Sequence, residues 1–380
     1  MNSNVSRRNW IKSTLGLSAG LVVTSTWAER VLAAPVSEAE RSHVPAAPSG
    51  KLIRLGSNEN PYGPSPQARK AIAEAMGEFN RYAFEPVQEL KKTLAEKEGV
   101  SPDHILVVNG SSETLCLAGM AAALEGGAVL SAYPTFRSLM DYAEKMNARW
   151  DRVDLDEYHV HNLSALANAV KADTRLLFLC NPNNPTGTAL DGAKYSDFCR
   201  EMSKKTLVFS DEAYLEFLEP HEQRSMVELV RQGANVLVSR TFSKVYGLAG
   251  LRIGYAIGQP DMIRKLSRYQ MGPVINQAAL AAVQASIDDV EFAKMTRQKN
   301  QEALTFFQSY LDKNNWFHGK SRTNCVLFPA PMDGKTILAE TEKKGYQIRI
   351  WDYQGKQWCR VSIGTLDEMK GFVKAFDEIV

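Results

Sequence analysis

The residues best suited to chemistry fall in three short segments: Asn181–Gly187 (NPNNPTG), Asp211–Tyr214 (DEAY) and Arg240–Arg252 (RTFSKVYGLAGLR). Lys244 lies in the third, near Arg240 and Arg252, whose positive charge lowers the pKa of its amine. A neutral lysine amine is the nucleophile that condenses with a carbonyl to form a Schiff base. A lysine among arginines is also the ordinary make-up of a solvated surface. A fourth segment, Gly110-Ser111-Ser112-Glu113, follows the apolar run Ile105–Val108 and opens a helix. Unpaired N–H groups and the positive end of the helix dipole make such a start a seat for phosphate. Taken alone, the same Ser and Glu spacing is a capping box.

Other chemistries fail on spacing. Gly334-Lys335-Thr336 has Pro329 where the leading glycine of a nucleotide-binding loop belongs, and no GxGxxG follows a strand. Thr241-Phe242-Ser243-Lys244 has the spacing of the acyl-serine hydrolases but a threonine in place of the nucleophile. His159 and His161 flank Val160 and lack a third metal ligand.

The elements that must position these residues follow from the hydrophobic pattern. Apolar runs at Ile105–Val108, Ala128–Leu130, Leu176–Leu179, Thr206–Phe209, Val236–Val238 and Ile253–Ile257 suit strands buried on both faces. Helical patterns at Ser112–Leu124, Thr135–Met146 and Gly192–Ser203 lie between them, so the class is α/β with a mostly parallel sheet. Ligands of such sheets bind beyond the carboxyl ends of the strands, where the candidate segments sit. From about residue 280 the pattern changes to a long helix-like stretch, Ala281–Leu311. Short strands near Cys325–Phe328, Gln347–Ile350 and Cys359–Ile363 come after it, as in a smaller α+β domain.

The first 34 residues read as a twin-arginine export signal, with Ser6-Arg7-Arg8-Asn9-Trp10-Ile11-Lys12 ahead of a short apolar run and Ala33-Ala34 at its end. That run is too short and too interrupted to span a bilayer, so no stable membrane anchor is expected. Residues 35–54 read as a flexible linker. Removing the leader takes away Arg7, Arg8, Lys12 and Arg30 against one acid, Glu29, so the formal charge of +2 falls close to zero. Nothing basic remains to suggest nucleic acid as a partner. The 5 cysteines are scattered without a CxxC pair, as expected for core residues of a protein that folds before export.

NPNNPTG, DEAY and RTFSKVYGLAGLR in this order resemble the pyridoxal-phosphate-dependent aminotransferases of fold type I, most nearly the histidinol-phosphate aminotransferases. The resemblance runs from Leu55 (LGSNENPYGPSP) through Asn80-Arg81-Tyr82 to Arg360-Val361-Ser362-Ile363-Gly364-Thr365. It implies a large cofactor-binding domain over 80–275 with a seven-stranded sheet, a small domain over 276–380, and an arm at 55–79 that packs with the small domain. It implies pyridoxal 5'-phosphate bound through Lys244, which also moves the substrate proton. Asp211 would face the pyridine nitrogen, and Tyr214 and Asn184 the phenolic oxygen, Asn184 also bordering the substrate. Phe136 would stack on the ring; without the resemblance it reads equally as a core aromatic.

The same resemblance places the cofactor phosphate among Ser111, Ser112, Glu113, Thr241, Ser243 and Arg252, with Tyr82 reaching it from a neighbouring subunit in a homodimer. Arg360 would grip the substrate carboxylate. Arg349 would lie near the substrate's far end, or else be a surface ion-pair member. The implied reaction moves an amino group between an amino acid or related compound and a 2-oxo acid. A decarboxylase or lyase on the same fold is the competing enzymatic reading, and a non-catalytic periplasmic ligand-binding protein the non-enzymatic one. Periplasmic location through the twin-arginine machinery follows from the leader.

Overall fold

A computed structural model describes residues 52–222, 224–272 and 275–380. The export leader and most of the expected linker lie outside the described residues. The linker does not extend to residue 54, because β1 (Ile53–Arg54) already pairs in parallel with β10 (Tyr346–Gln347).

The main sheet holds β2 (Ile105–Val108), β3 (Ala128–Tyr133), β4 (Arg149–Asp154), β5 (Thr174–Cys180), β6 (Leu207–Asp211), β7 (Val236–Thr241) and β8 (Gly254–Ile257). Its order is β2-β8-β7-β6-β5-β3-β4, and only β8 runs antiparallel to its neighbours. The fold is therefore the α/β class with a mostly parallel seven-stranded sheet, as expected. Val208, Phe209, Val238 and Ile257 are fully buried, which explains their unbroken apolar runs. β4 had no such run. Its sequence, Arg-Trp-Asp-Arg-Val-Asp, forms an edge strand that buries only Trp150 and leaves Arg149, Arg152 and Asp154 exposed.

The long helix-like stretch from Ala281 is two helices, Gln277–Ser286 and Val290–Lys313. Asp289 breaks it by accepting the Phe292 N–H as an N-cap. The first helix packs into the core of the main sheet through Ala279, Leu280 and Val283. The second packs through Leu304, Phe307 and Leu311 into a separate core with Leu55, Phe328, Val361 and Phe372. The change of core thus falls between two helices, not at residue 276. The expected arm is shared as well, since Leu55 joins the second core and Ala68 the first.

The second core is backed by β9 (Cys325–Pro329), β11 (Arg349–Tyr353) and β12 (Lys356–Ser362), an antiparallel sheet in the order β11-β12-β9. Among the described residues no helix is long and apolar enough to cross a membrane. The 5 cysteines are free, and Cys180, Cys199, Cys325 and Cys359 are buried.

Candidate active site

The carboxyl ends of β5, β6 and β7 and the start of the helix Ser111–Leu124 open on one cavity of about 240 Å³. Asp211 ends β6, is 2% exposed, and accepts the Ala213 N–H at 3.3 Å. Burial pushes its carboxyl up to about 7, against a smaller pull downward from the Ala213 N–H and Lys244. Tyr214 follows on the loop; its hydroxyl accepts from Asn184 Nδ2 at 3.3 Å and from Asn58 Nδ2 at 3.0 Å. Burial raises the phenol well above its ordinary value, so it stays protonated and able to donate.

Lys244 stands on the loop after β7, its Nζ 5.4 Å from the Tyr214 ring centroid and donating to the Asn58 carbonyl at 3.0 Å. Its amine is lowered to about 8, first by burial and then by Arg360. The sequence placed this effect on Arg240 and Arg252, and the structure corrects it. Arg240 turns to the far side of the strand and pairs with Glu212 at 3.0 Å and Glu216 at 3.2 Å. The cation that depresses the lysine comes from β12, more than a hundred residues away in sequence.

Gly110, with φ 77, caps the helix Ser111–Leu124 and brings no side-chain hydrogen bond to its end. The serine capping box is therefore absent, and Ser111 and Ser112 line the cavity instead. Glu113 does not line it. Its carboxylate turns back to accept the Asn109 N–H at 2.6 Å, so the expected cofactor contact from Glu113 is a helix-start contact. A Cβ on Gly110 would lie 2.3 Å from the Arg252 guanidinium, so only glycine lets that arginine close on the helix end. Thr241 Oγ1 donates to Ser243 Oγ at 2.9 Å, and Arg252 Nη1 donates to the same oxygen at 3.5 Å. Ser243 keeps its own proton for a ligand. This cluster of N–H groups, hydroxyls and one guanidinium has the donor set of a phosphate site.

Arg360 on β12 is 3% exposed. It donates through Nη1 to Asn184 Oδ1 at 3.0 Å and through Nη2 to the Gly56 carbonyl, and its Nε has no partner. Arg349 lies directly across the β11–β12 pair from Arg360 and lines the same cavity. Phe136 lines it too. Tyr82 does not; it stands 75% exposed, ring to ring with Phe84 at 5.9 Å. The structure thus gathers every candidate except Glu113 and Tyr82 around one space. Among the described residues no cluster of histidines, cysteines or acids could hold a metal.

The sequence reading missed the wall formed by Ser57, Asn58 and Glu59. The signal lay in the segment LGSNENPYGPSP, where several polar residues stand together with no apolar run to explain them. Nothing local told that this segment would fold against β12.

The sequence model of the family described as aminotransferase class I and II matches residues 50–376. The chain is 34% identical over 331 residues to a histidinol-phosphate aminotransferase of Moorella thermoacetica, covering 87% of this chain and 86% of that protein. It is 35% identical over 347 residues to histidinol-phosphate aminotransferase 1 of Cupriavidus pinatubonensis, covering 90% and 92%. The crystal structure of the histidinol-phosphate aminotransferase from Sinorhizobium meliloti in complex with pyridoxal-5'-phosphate superposes with a TM-score of 0.77 at 25% identity, over 87% of this chain and 91% of that one.

Proposed function

Given that the chain belongs to the class I and II aminotransferases, dependent on pyridoxal phosphate, we propose that it works as an exported homodimer whose donor is an amino compound with an acidic group at its far end. The observation that carries this reading is the ring of Lys244, Asp211, Tyr214, Arg252, Arg360 and Arg349 about one cavity, with the two substrate arginines on facing strands.

The residues fit the cofactor. Free serine hydroxyls and Arg252 at the helix start match a phosphate, and a buried acid at the opposite end matches a ring nitrogen. When bound, pyridoxal phosphate supplies an electron sink for the pair left on the substrate carbon after its proton is removed. Ser111, Ser112, Thr241, Ser243 and Arg252 would hold the phosphate, each charge-assisted bond contributing about 1.5–3 kcal/mol. Asp211 would keep a proton on the ring nitrogen, which its own ionised carboxylate then balances. Tyr214 and Asn184 would donate to the phenolic oxygen, and Phe136 would cover the ring face.

Lys244, neutral in a useful fraction at neutral pH, would take the substrate α-proton and return it two atoms away, on the carbon across the nitrogen. Arg360 would fix the substrate carboxylate by a planar two-donor contact, its unpartnered Nε being available for one of them. Arg349 would meet the acidic group at the other end. Tyr82, exposed and turned from its own site, is free to reach the phosphate site of a second copy.

The relatives are named for histidinol phosphate. An exported enzyme is removed from cytosolic histidine synthesis, so the donor here is a different compound of similar form. The test is a screen of amino donors on the purified protein, following the visible band of the loaded lysine. An aminotransferase loses that band with a donor and regains it with a 2-oxo acid; a decarboxylase or lyase does not. Export is tested by replacing Arg7 and Arg8 together with lysine, which leaves the protein in the cytosol if the leader is a twin-arginine signal.

A further inference from the structure

Asn58 has no part in the chemistry above, yet it lines the cavity and bonds to Tyr214, Lys244 and Ser362. It is 1% exposed and holds a left-handed backbone, φ 52, which asparagine tolerates better than most residues. Its backbone N–H donates to Ser362 Oγ at 2.8 Å, and Ser362 Oγ donates in turn to Asn58 Oδ1 at 2.9 Å. That exchange leaves the serine one way to point its proton, and it fixes the asparagine amide with its NH₂ towards Tyr214.

The same logic operates from the other side. Arg360 can only donate, so Asn184 presents Oδ1 to it at 3.0 Å and turns its own NH₂ to Tyr214. The Tyr214 oxygen therefore accepts from two amides, Asn58 at 3.0 Å and Asn184 at 3.3 Å. Both of its lone-pair positions are occupied. Its single proton must point elsewhere, and the open side is the cavity.

We infer that Asn58, held by Ser362, is a positioning residue that aims the Tyr214 hydroxyl proton into the cavity at the cofactor's phenolic oxygen. This rests on the reading of Tyr214 as a cofactor contact. A phenol free to rotate would spend part of its time donating to Asn58 or to water. A phenol with its acceptor sites filled is set for one direction before the cofactor arrives, which is the condition for an oriented hydrogen bond to count in full. The Asn58 carbonyl, which accepts from Lys244 Nζ at 3.0 Å, belongs to the backbone and survives side-chain replacement.

The experiment is a pH titration of the visible band of the loaded protein, which reports the proton held at the lysine nitrogen. Wild type is compared with Asn58→Gly, Ser362→Ala, Tyr214→Phe and the Asn58→Gly/Tyr214→Phe pair. Glycine keeps the left-handed backbone and the carbonyl while removing the amide. A hydrogen bond to the phenolate favours the deprotonated linkage, so losing it raises the midpoint. Asn58→Gly should raise it by about one pH unit, roughly a tenfold change in proton affinity. Ser362→Ala should raise it by less, and Asn58→Gly should add nothing once Tyr214 is phenylalanine.

An unmoved midpoint in Asn58→Gly while Tyr214→Phe shifts overturns the inference, as does an equal shift in both backgrounds. If Tyr214→Phe itself leaves the midpoint in place, the reading of Tyr214 falls and the inference with it. Thermal unfolding of the cofactor-free variants separates loss of fold from loss of aim. Should Asn58→Gly not fold, Ser362→Ala alone and paired with Tyr214→Phe decides in the same way.

Discussion

The acidity of Lys244 is open to direct measurement, and the structure gives its size. Burial and the Arg360 guanidinium lower the amine from its ordinary 10.5 to about 8. At pH 7.5 roughly a quarter of the chains would then carry a neutral amine, against roughly one in a thousand at the ordinary value, a difference of roughly two hundredfold in nucleophile. Formaldehyde does not titrate in this range, so reductive methylation of the cofactor-free protein, read lysine by lysine by mass spectrometry, isolates the amine's own proton. Model lysine peptides of ordinary pKa act as internal standards in the same sample. Methylation at Lys244 should level off above about pH 8, while the standards go on rising tenfold per pH unit. Arg360→Gln removes the second cause but not the first, so its midpoint should move up without reaching that of the standards. A Lys244 profile parallel to the standards would refute the electrostatic argument, and an unchanged midpoint in Arg360→Gln would refute the part assigned to the arginine.

Three further outcomes follow from the site. Asp211 has a folded pKa raised to about 7, above its ordinary 3.8, so ionising it costs stability as pH rises between those values; Asp211→Asn should raise the melting temperature of the cofactor-free protein at pH 8 and abolish transamination. Gly110→Ala should displace Arg252 and weaken pyridoxal phosphate binding by roughly tenfold or more, the loss of one charge-assisted bond, while binding of pyridoxal, which has no phosphate, changes little in equilibrium dialysis. If Tyr82 serves the neighbouring subunit, Tyr82→Ala and Lys244→Ala proteins should each be inactive alone yet regain activity when unfolded and refolded together, because the hybrid holds one intact site; no recovery would place Tyr82 outside the site.

What could be read from the sequence depended on how local the physics was. The strands of the main sheet showed themselves because Leu177, Val208 and Leu237 are buried on both faces and need no partner to be recognised. β4 stayed hidden because this edge strand buries only Trp150 and exposes Arg149, Arg152 and Asp154. The break at Asp289 was missed because the residues on either side keep a helical pattern through it. At the site, Lys244, Asp211 and Tyr214 were found by the motifs they sit in. The cause of the lysine's acidity was assigned to Arg240, a neighbour in sequence, whereas Arg240 is engaged by Glu212 and Glu216. Arg360 and Asn58 act on the same lysine from opposite ends of the chain, and such a pairing has no local signature.

That meeting of the two ends bears on when the enzyme can be loaded during its synthesis. Asn58 and Ser362 are 304 positions apart, and their contact closes one wall of the cavity. A ribosome must therefore release almost the entire polypeptide before the pocket exists, although the first residues have been outside for most of that time. A secretion route that seized the nascent chain by its leading end would carry it off unfinished. Only a route that waits for the completed molecule can deliver the vitamin already in place.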